Sequence, residues 1–164
     1  MVKYLLMITA DLENLTKLEP HGGCDDPDFV YYFKLKCESC GEVTQKDTCV
    51  SLNETVALPR STTNLLQKCK LCAREGTVSM ITGRGCPLTY ELSQSGQYAP
   101  LMLFDCRGYE PVEFAFGSGW KVESIEGTKF DAVDLSGGDF AEYDEKGECP
   151  VMISNLRSVF KVVK

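Results

Sequence analysis

Short apolar runs rich in Val, Ile, Phe and Tyr recur along the chain, several of them alternating with polar residues as a half-buried sheet requires. They predict strands over residues 2–10, 29–36, 77–82, 101–106, 112–116 and 151–163. Gly, Pro and Asp clusters separate them, most plainly His21-Gly22-Gly23-Cys24-Asp25-Asp26-Pro27, Gly83-Arg84-Gly85-Cys86-Pro87, Gly117-Ser118-Gly119 and Ser136-Gly137-Gly138, which read as turns and loops. No long window carries a helical period. The one helical expectation is a single turn over residues 61–67, after Pro59, where Ser and Thr supply caps. The class expected from this pattern is all-β with little or no helix.

A weak internal echo suggests how the strands are grouped. Lys36-Cys37-Glu38-Ser39-Cys40 and Asp105-Cys106-Arg107-Gly108-Tyr109 both follow an apolar run, with Tyr109 standing where a second thiol would be. The expectation is two similar β units packed together in one compact two-part domain, residues 1–93 and residues 101–164, divided at the polar stretch 94–100.

Composition narrows the function classes. The chain has 164 residues, 43% of them apolar, and a net charge of −7, so it can bury a core of its own while its overall field repels phosphate backbones and anionic lipid. Nucleic acid is therefore an unexpected partner. No stretch reaches the roughly 18 apolar residues of a spanning helix, and the apolar run behind Lys3 is shorter than a signal-peptide core, so the chain reads as cytoplasmic with a first strand at its start. The nine cysteines are an odd number, which excludes a complete set of intrachain disulfides and makes metal ligation the leading use of some of them.

The strongest signal is a pair of C-x-x-C motifs, Cys37-Glu38-Ser39-Cys40-Gly41 and Cys69-Lys70-Leu71-Cys72, with 28 residues between Cys40 and Cys69. Two intervening residues let a tight turn direct both sulfurs to one point, and two such zinc-knuckle turns face to face supply the four thiolates that tetrahedral zinc accepts. Gly41 suits the first turn because it tolerates positive φ. The gap leaves room for a hairpin, expected over residues 43–50 and 54–58. Residues 34–74 carry +3 against −10 for the rest of the chain, so a basic stretch lies where the metal would sit. Nearby Lys and Arg favour thiolate and offset the residual charge of a four-thiolate zinc. A thioredoxin-like dithiol would need one pair between a strand and a helix, which the pattern does not offer. Four thiolates leave no open position for catalytic water, so the expected zinc is structural.

Taken together with Gln67-Lys68-Cys69-Lys70-Leu71-Cys72-Ala73-Arg74-Glu75, Phe104-Asp105-Cys106-Arg107-Gly108-Tyr109-Glu110-Pro111, Asp139-Phe140-Ala141-Glu142-Tyr143-Asp144-Glu145-Lys146 and Leu12-Glu13-Asn14-Leu15-Thr16, the chain resembles the eukaryotic CXXC-motif-containing zinc-binding protein family nearly end to end. The resemblance implies an all-β, two-part fold, one structural zinc on Cys37, Cys40, Cys69 and Cys72, and no established reaction. Cys24, Cys49, Cys86 and Cys149 are not required by the family pattern.

Other clusters carry less. Arg84-Gly85-Cys86 is similar to the nucleophile motif of B-type methionine sulfoxide reductases, which also hold zinc on two C-x-x-C pairs. Leu88 stands where that family has Asn, and the sole His21 is distant in sequence. His21, Cys24, Asp25, Asp26 and Asp28 read as a solvated acidic loop, and Asp139, Glu142, Asp144, Glu145 and Glu148 as a water-facing surface or a face for a basic partner. Gly117-Ser118-Gly119 fails the dinucleotide fingerprint at Val122. Trp120, Phe114, Phe116 and Phe130 read as core. The functional expectation is a monomeric zinc-binding protein with a protein partner and no catalysis. The competing readings are a thiol-redox enzyme and a metal-handling protein, for which Cys24, Cys49, Cys86, Cys106 or Cys149 would serve as landing thiols.

Overall fold

β1 (Val2–Glu13) turns Tyr4, Leu6, Ile8, Ala10 and Leu12 into the core, none more than 6% exposed. The N-terminal alternation of the sequence therefore becomes the middle of the largest sheet. The computed structural model describes residues 2–163. After β1 the chain runs through β2 (Leu15–Pro20), β3 (Tyr31–Cys37), β4 (Thr48–Val50), β5 (Val56–Ala57), β6 (Thr62–Thr63), β7 (Leu65–Lys68) and β8 (Glu75–Ile81) to α1 (Tyr90–Gln94). It continues through β9 (Ala99–Arg107), β10 (Tyr109–Ala115), β11 (Trp120–Ser124), β12 (Lys129–Val133), β13 (Phe140–Asp144) and β14 (Cys149–Val163). The fold is all-β.

Six strands form the main sheet in the order β13-β14-β1-β9-β8-β7, so β7 lies at its edge. Two three-stranded sheets, β10-β3-β4 and β12-β11-β2, pack with it, and β5 pairs with β6 alone. Edge-to-face rings join the three larger sheets: Phe33 and Tyr31 of β3 lie 5.1 and 5.6 Å from Phe104 of β9, and Phe29 lies 5.2 Å from Trp120 of β11. Such pairs contribute about 1 kcal/mol each beyond the area they bury. Trp120 is wholly buried, and its indole N–H donates to the Phe116 carbonyl at 2.8 Å.

Two local expectations fail. Residues 61–67 form no helical turn: they supply β6 and β7, and β7 pairs with β8 from Leu65↔Val78 to Lys68↔Glu75. Thr63, which looked like a cap, is buried and donates its hydroxyl to the Val78 carbonyl at 2.8 Å, so pairing with a strand edge overrides local capping preference. The helix is α1, where Thr89 accepts from the Leu92 N–H at 3.3 Å. The hairpin over 43–50 and 54–58 also does not form. β4 pairs with β3, helped by the Thr48 hydroxyl donating to the Phe33 carbonyl at 2.7 Å, while β5 pairs with β6.

Candidate metal centre

Cys37 ends β3 and Cys69 directly follows β7, so the two C-x-x-C turns grow from different sheets and meet between them. The Sγ atoms of Cys37, Cys40, Cys69 and Cys72 all lie within 4.8 Å of one another. Cys37 Sγ is 3.7 Å from Cys72 Sγ, and Cys40 Sγ is 3.6 Å from Cys69 Sγ. A tetrahedron with sulfur about 2.3 Å from its centre has edges of about 3.8 Å, so the donor set fits zinc in both chemistry and size. Among the described residues no other group of three or more His, Cys, Asp or Glu converges in this way.

The two turns are built alike. Gly41 N–H donates to the Cys37 carbonyl at 2.9 Å and Cys37 N–H to the Glu42 carbonyl at 2.8 Å. In the second turn Ala73 N–H donates to Cys69 and Cys69 N–H to Arg74, both at 2.9 Å. The left-handed position falls to Gly41, with φ 81°, in one turn and to Ala73, with φ 64°, in the other. In each pair the leading cysteine is buried and the trailing one exposed.

Backbone amides prepare the sulfurs for a cation. The N–H groups of Cys40 and Ser39 hold the Cys37 thiol below its ordinary range, and those of Cys72 and Leu71 bring Cys69 down to about 7. The Glu42 N–H favours the Cys40 thiolate, but desolvation and the three neighbouring sulfurs override it and push Cys40 up to about 12. Four sulfurs so close cannot all ionise without a cation between them.

Tyr109, which the sequence offered only as an echo of a missing thiol, belongs to this site. It stands opposite Cys37 in the β3–β10 ladder and is 2% exposed. Its hydroxyl is buried without a hydrogen-bond partner. Burial, and then the field of Cys69, Cys37, Cys72 and Cys40, pushes it up to about 12. A donor left unpaired beside four sulfurs fits a site whose sulfurs are thiolates held by a metal.

The remaining candidates lie elsewhere. Cys86 is exposed, its N–H bonded to the Pro100 carbonyl at 3.0 Å, and the neighbouring sulfur is that of half-buried Cys24. Desolvation, with Glu19, Cys86 and Asp25 adding to it, pushes Cys24 up to about 12. Cys106 is buried, and Cys49 and Cys149 are free. The carboxylates of the 21–28 loop hold backbone amides: Asp26 accepts from the Gly22 and Asp28 N–H groups within its own loop, and Asp25 accepts from the Gly83 N–H of another. Of the acidic residues at 139–148, Asp139, Glu142, Glu145 and Glu148 are exposed, but Asp144 is fully buried, contrary to the expected water-facing surface. It accepts from the Thr128 hydroxyl at 2.5 Å and the Lys146 N–H at 3.1 Å, which makes it a turn anchor.

Comparison with known proteins agrees with the geometry. The profile of the family described as CXXC motif containing zinc binding protein, eukaryotic, matches residues 5–161. Proteins called CXXC motif containing zinc binding protein in Xenopus laevis and Homo sapiens are each 37% identical over 163 residues, covering 98% of this chain and 98% of the relative. The crystal structure of C1orf123 superposes with a TM-score of 0.86 at 36% identity, covering 99% of both chains. One structural zinc ion fits the four-sulfur cluster, and the chain belongs to the eukaryotic family of CXXC motif containing zinc binding proteins.

Proposed function

We propose that the protein is a monomeric cytoplasmic scaffold whose zinc fastens two sheets together and whose work is to bind another protein, without catalysis. The observation that carries this reading is the closed donor set: four sulfurs within 4.8 Å of one another, on two turns closed by the same backbone hydrogen bonds. Such a set leaves no position for substrate or reactive water and converts metal binding into folding free energy. The test is chelator competition on purified, reduced protein. The reading expects one zinc per chain, released slowly and only as the fold is lost, and no thiol or disulfide turnover with a dithiol reductant.

A second reading, metal handling, is favoured by the exposure of Cys40 and Cys72, which an incoming thiol could reach without unfolding the chain. It expects zinc to pass rapidly to a recipient thiol peptide while the sheet structure persists. The exchange rate measured beside far-UV circular dichroism separates the two.

A further inference from the structure

Beside the metal centre lies a groove of about 520 Å³, bounded on one side by residues 42–49 and on the other by residues 65–71, with Tyr109 and Cys69 in its lining. Four features make it unlike an ordinary surface depression. β7 is the last strand of its sheet, so it can accept a further strand. Leu71, held inside the second C-x-x-C turn, is 69% exposed, more than any other large hydrophobic residue of the described chain. Lys46, Lys68 and Lys70 are exposed in the lining, and none is ion-paired among the described residues. They outnumber the acidic lining residues Glu42 and Asp47, and they belong to a segment, residues 34–74, that is net positive in a chain of charge −7.

We propose that this groove docks an extended, acidic segment of a partner protein, which adds to the edge of β7 and seats an apolar side chain on Leu71. Main-chain hydrogen bonds to the strand edge would supply affinity for any extended chain. The lysines select carboxylates, and Leu71 selects an apolar residue between them. Zinc enters only by holding the turn that presents Leu71 and Lys70. The proposal deepens the scaffold reading above and rests on it.

The test uses the whole zinc-loaded chain and a phage-displayed library of short random linear peptides. Selected peptides are resynthesised with a fluorescein label and titrated by anisotropy at low and high salt. The expected binders alternate acidic and aliphatic residues and weaken as salt rises. They lose about tenfold in affinity both to the K46E/K68E/K70E variant and to Leu71→Ser, with zinc content and circular dichroism unchanged in each variant. Amide exchange should slow at Leu66 and Lys68 when peptide binds. Because the substitutions are on exposed side chains, a variant that does not fold is replaced by the single substitutions, read the same way. Binders that lack acidic residues, or that are indifferent to all the groove variants, would overturn the groove while leaving the scaffold reading in place. An empty selection counts against both. Displacement of the peptide by oligothymidylate, or a concentration-dependent dimer abolished by the lysine reversals, would assign the groove to nucleic acid or to a second copy and overturn the proposal.

Discussion

Tyr109 stands opposite Cys37 across the β3–β10 ladder, with its hydroxyl unpartnered in the field of all four cluster sulfurs. A hydroxyl that donates to no sulfur does not orient one, and leaving it buried and unpaired costs about 1–3 kcal/mol. Tyr109→Phe should therefore keep the fold and the zinc affinity while raising the urea midpoint. A loss of about tenfold in zinc affinity in a chelator competition would instead show that the hydroxyl has a part in holding the sulfurs. Tyr109→Ala should instead cost about 3–5 kcal/mol through the cavity it leaves, read as a lowered urea midpoint.

Gly76 provides the space Tyr109 needs. A Cβ on Gly76 would lie 2.4 Å from a Tyr109 ring carbon and 2.5 Å from the Arg107 carbonyl, one neighbour being backbone and the other a fixed ring. Gly76→Ala should destabilise by about 3 kcal/mol and loosen zinc together with stability, whereas a cavity far from the site should affect stability alone. Thermal melts of loaded and chelated protein would show whether the two losses travel together.

The fold was legible where covalent spacing or local periodicity decides it. Tyr4, Leu6, Ile8, Ala10 and Leu12 of β1 and the alternating Tyr31, Phe33, Leu35 and Cys37 each lie on a buried face. The cysteine cluster was readable because two residues between thiols leave the turn few options. β2, β11, β12 and β13 were missed: all are short, and β2 and β11 pair with each other across about a hundred residues, as in Trp120↔Pro20, while β12 and β13 only extend the sheets through β11 and β14. Residues 61–67 failed because what makes them strands is their pairing, β6 with β5 and β7 with the edge of β8, which is invisible in their own sequence. Tyr109 and Asp144 escaped because a buried polar group is recognised by what surrounds it, and a composition of carboxylates reads the same on a surface as in a turn.

The twin turns put different residues at their left-handed position, Gly41 against Ala73, both with positive φ. An L side chain there costs about 1–2 kcal/mol, which Gly avoids at a smaller cost in chain entropy. Gly41→Ala should therefore lower stability by about 1 kcal/mol, and Ala73→Gly should be neutral or raise it by about 0.5 kcal/mol. No atom lies within 4 Å of a Cβ at Gly41, so any loss there is backbone strain and not a clash. Equal responses at the two sites in denaturant titration would refute the equivalence of the turns.

Asp144 sets an acid dependence. The Thr128 hydroxyl, with backbone N–H donors after it, holds its carboxyl below the ordinary range in the folded chain. A carboxyl with a depressed folded pKa favours folding at neutral pH, and this contribution disappears as acid protonates it, below the ordinary Asp value of 3.8. Asp144→Asn should lower the urea midpoint at pH 7, and the gap from wild type should close as the pH falls through and below that region. Zinc loss in acid affects both proteins alike and cancels in the difference. A gap that persists undiminished in acid would show that the charge is not what anchors the turn.

Removing single sulfurs should reveal an asymmetry set by burial. Cys37 is 1% exposed at the end of β3 and Cys69 is 6% exposed after β7, whereas Cys40 and Cys72 face solvent. Serine at either leading position puts a weak ligand at the site and a hydroxyl into the junction of two sheets, so Cys37→Ser and Cys69→Ser should lose both zinc and most of the soluble fold. At Cys40 or Cys72 a hydroxyl meets water, and only ligation is lost. Those variants should bind zinc more weakly, through three sulfurs, yet recover the wild-type circular dichroism when zinc is in excess. Metal content by atomic absorption, measured across a zinc titration beside the soluble yield, distinguishes the pairs. If all four variants stayed folded with wild-type stoichiometry, the cluster could not be what joins β3 to β7. If all four failed identically even in excess zinc, the exposed sulfurs would be as essential to the sheet junction as the buried ones, and burial would not be what ranks them.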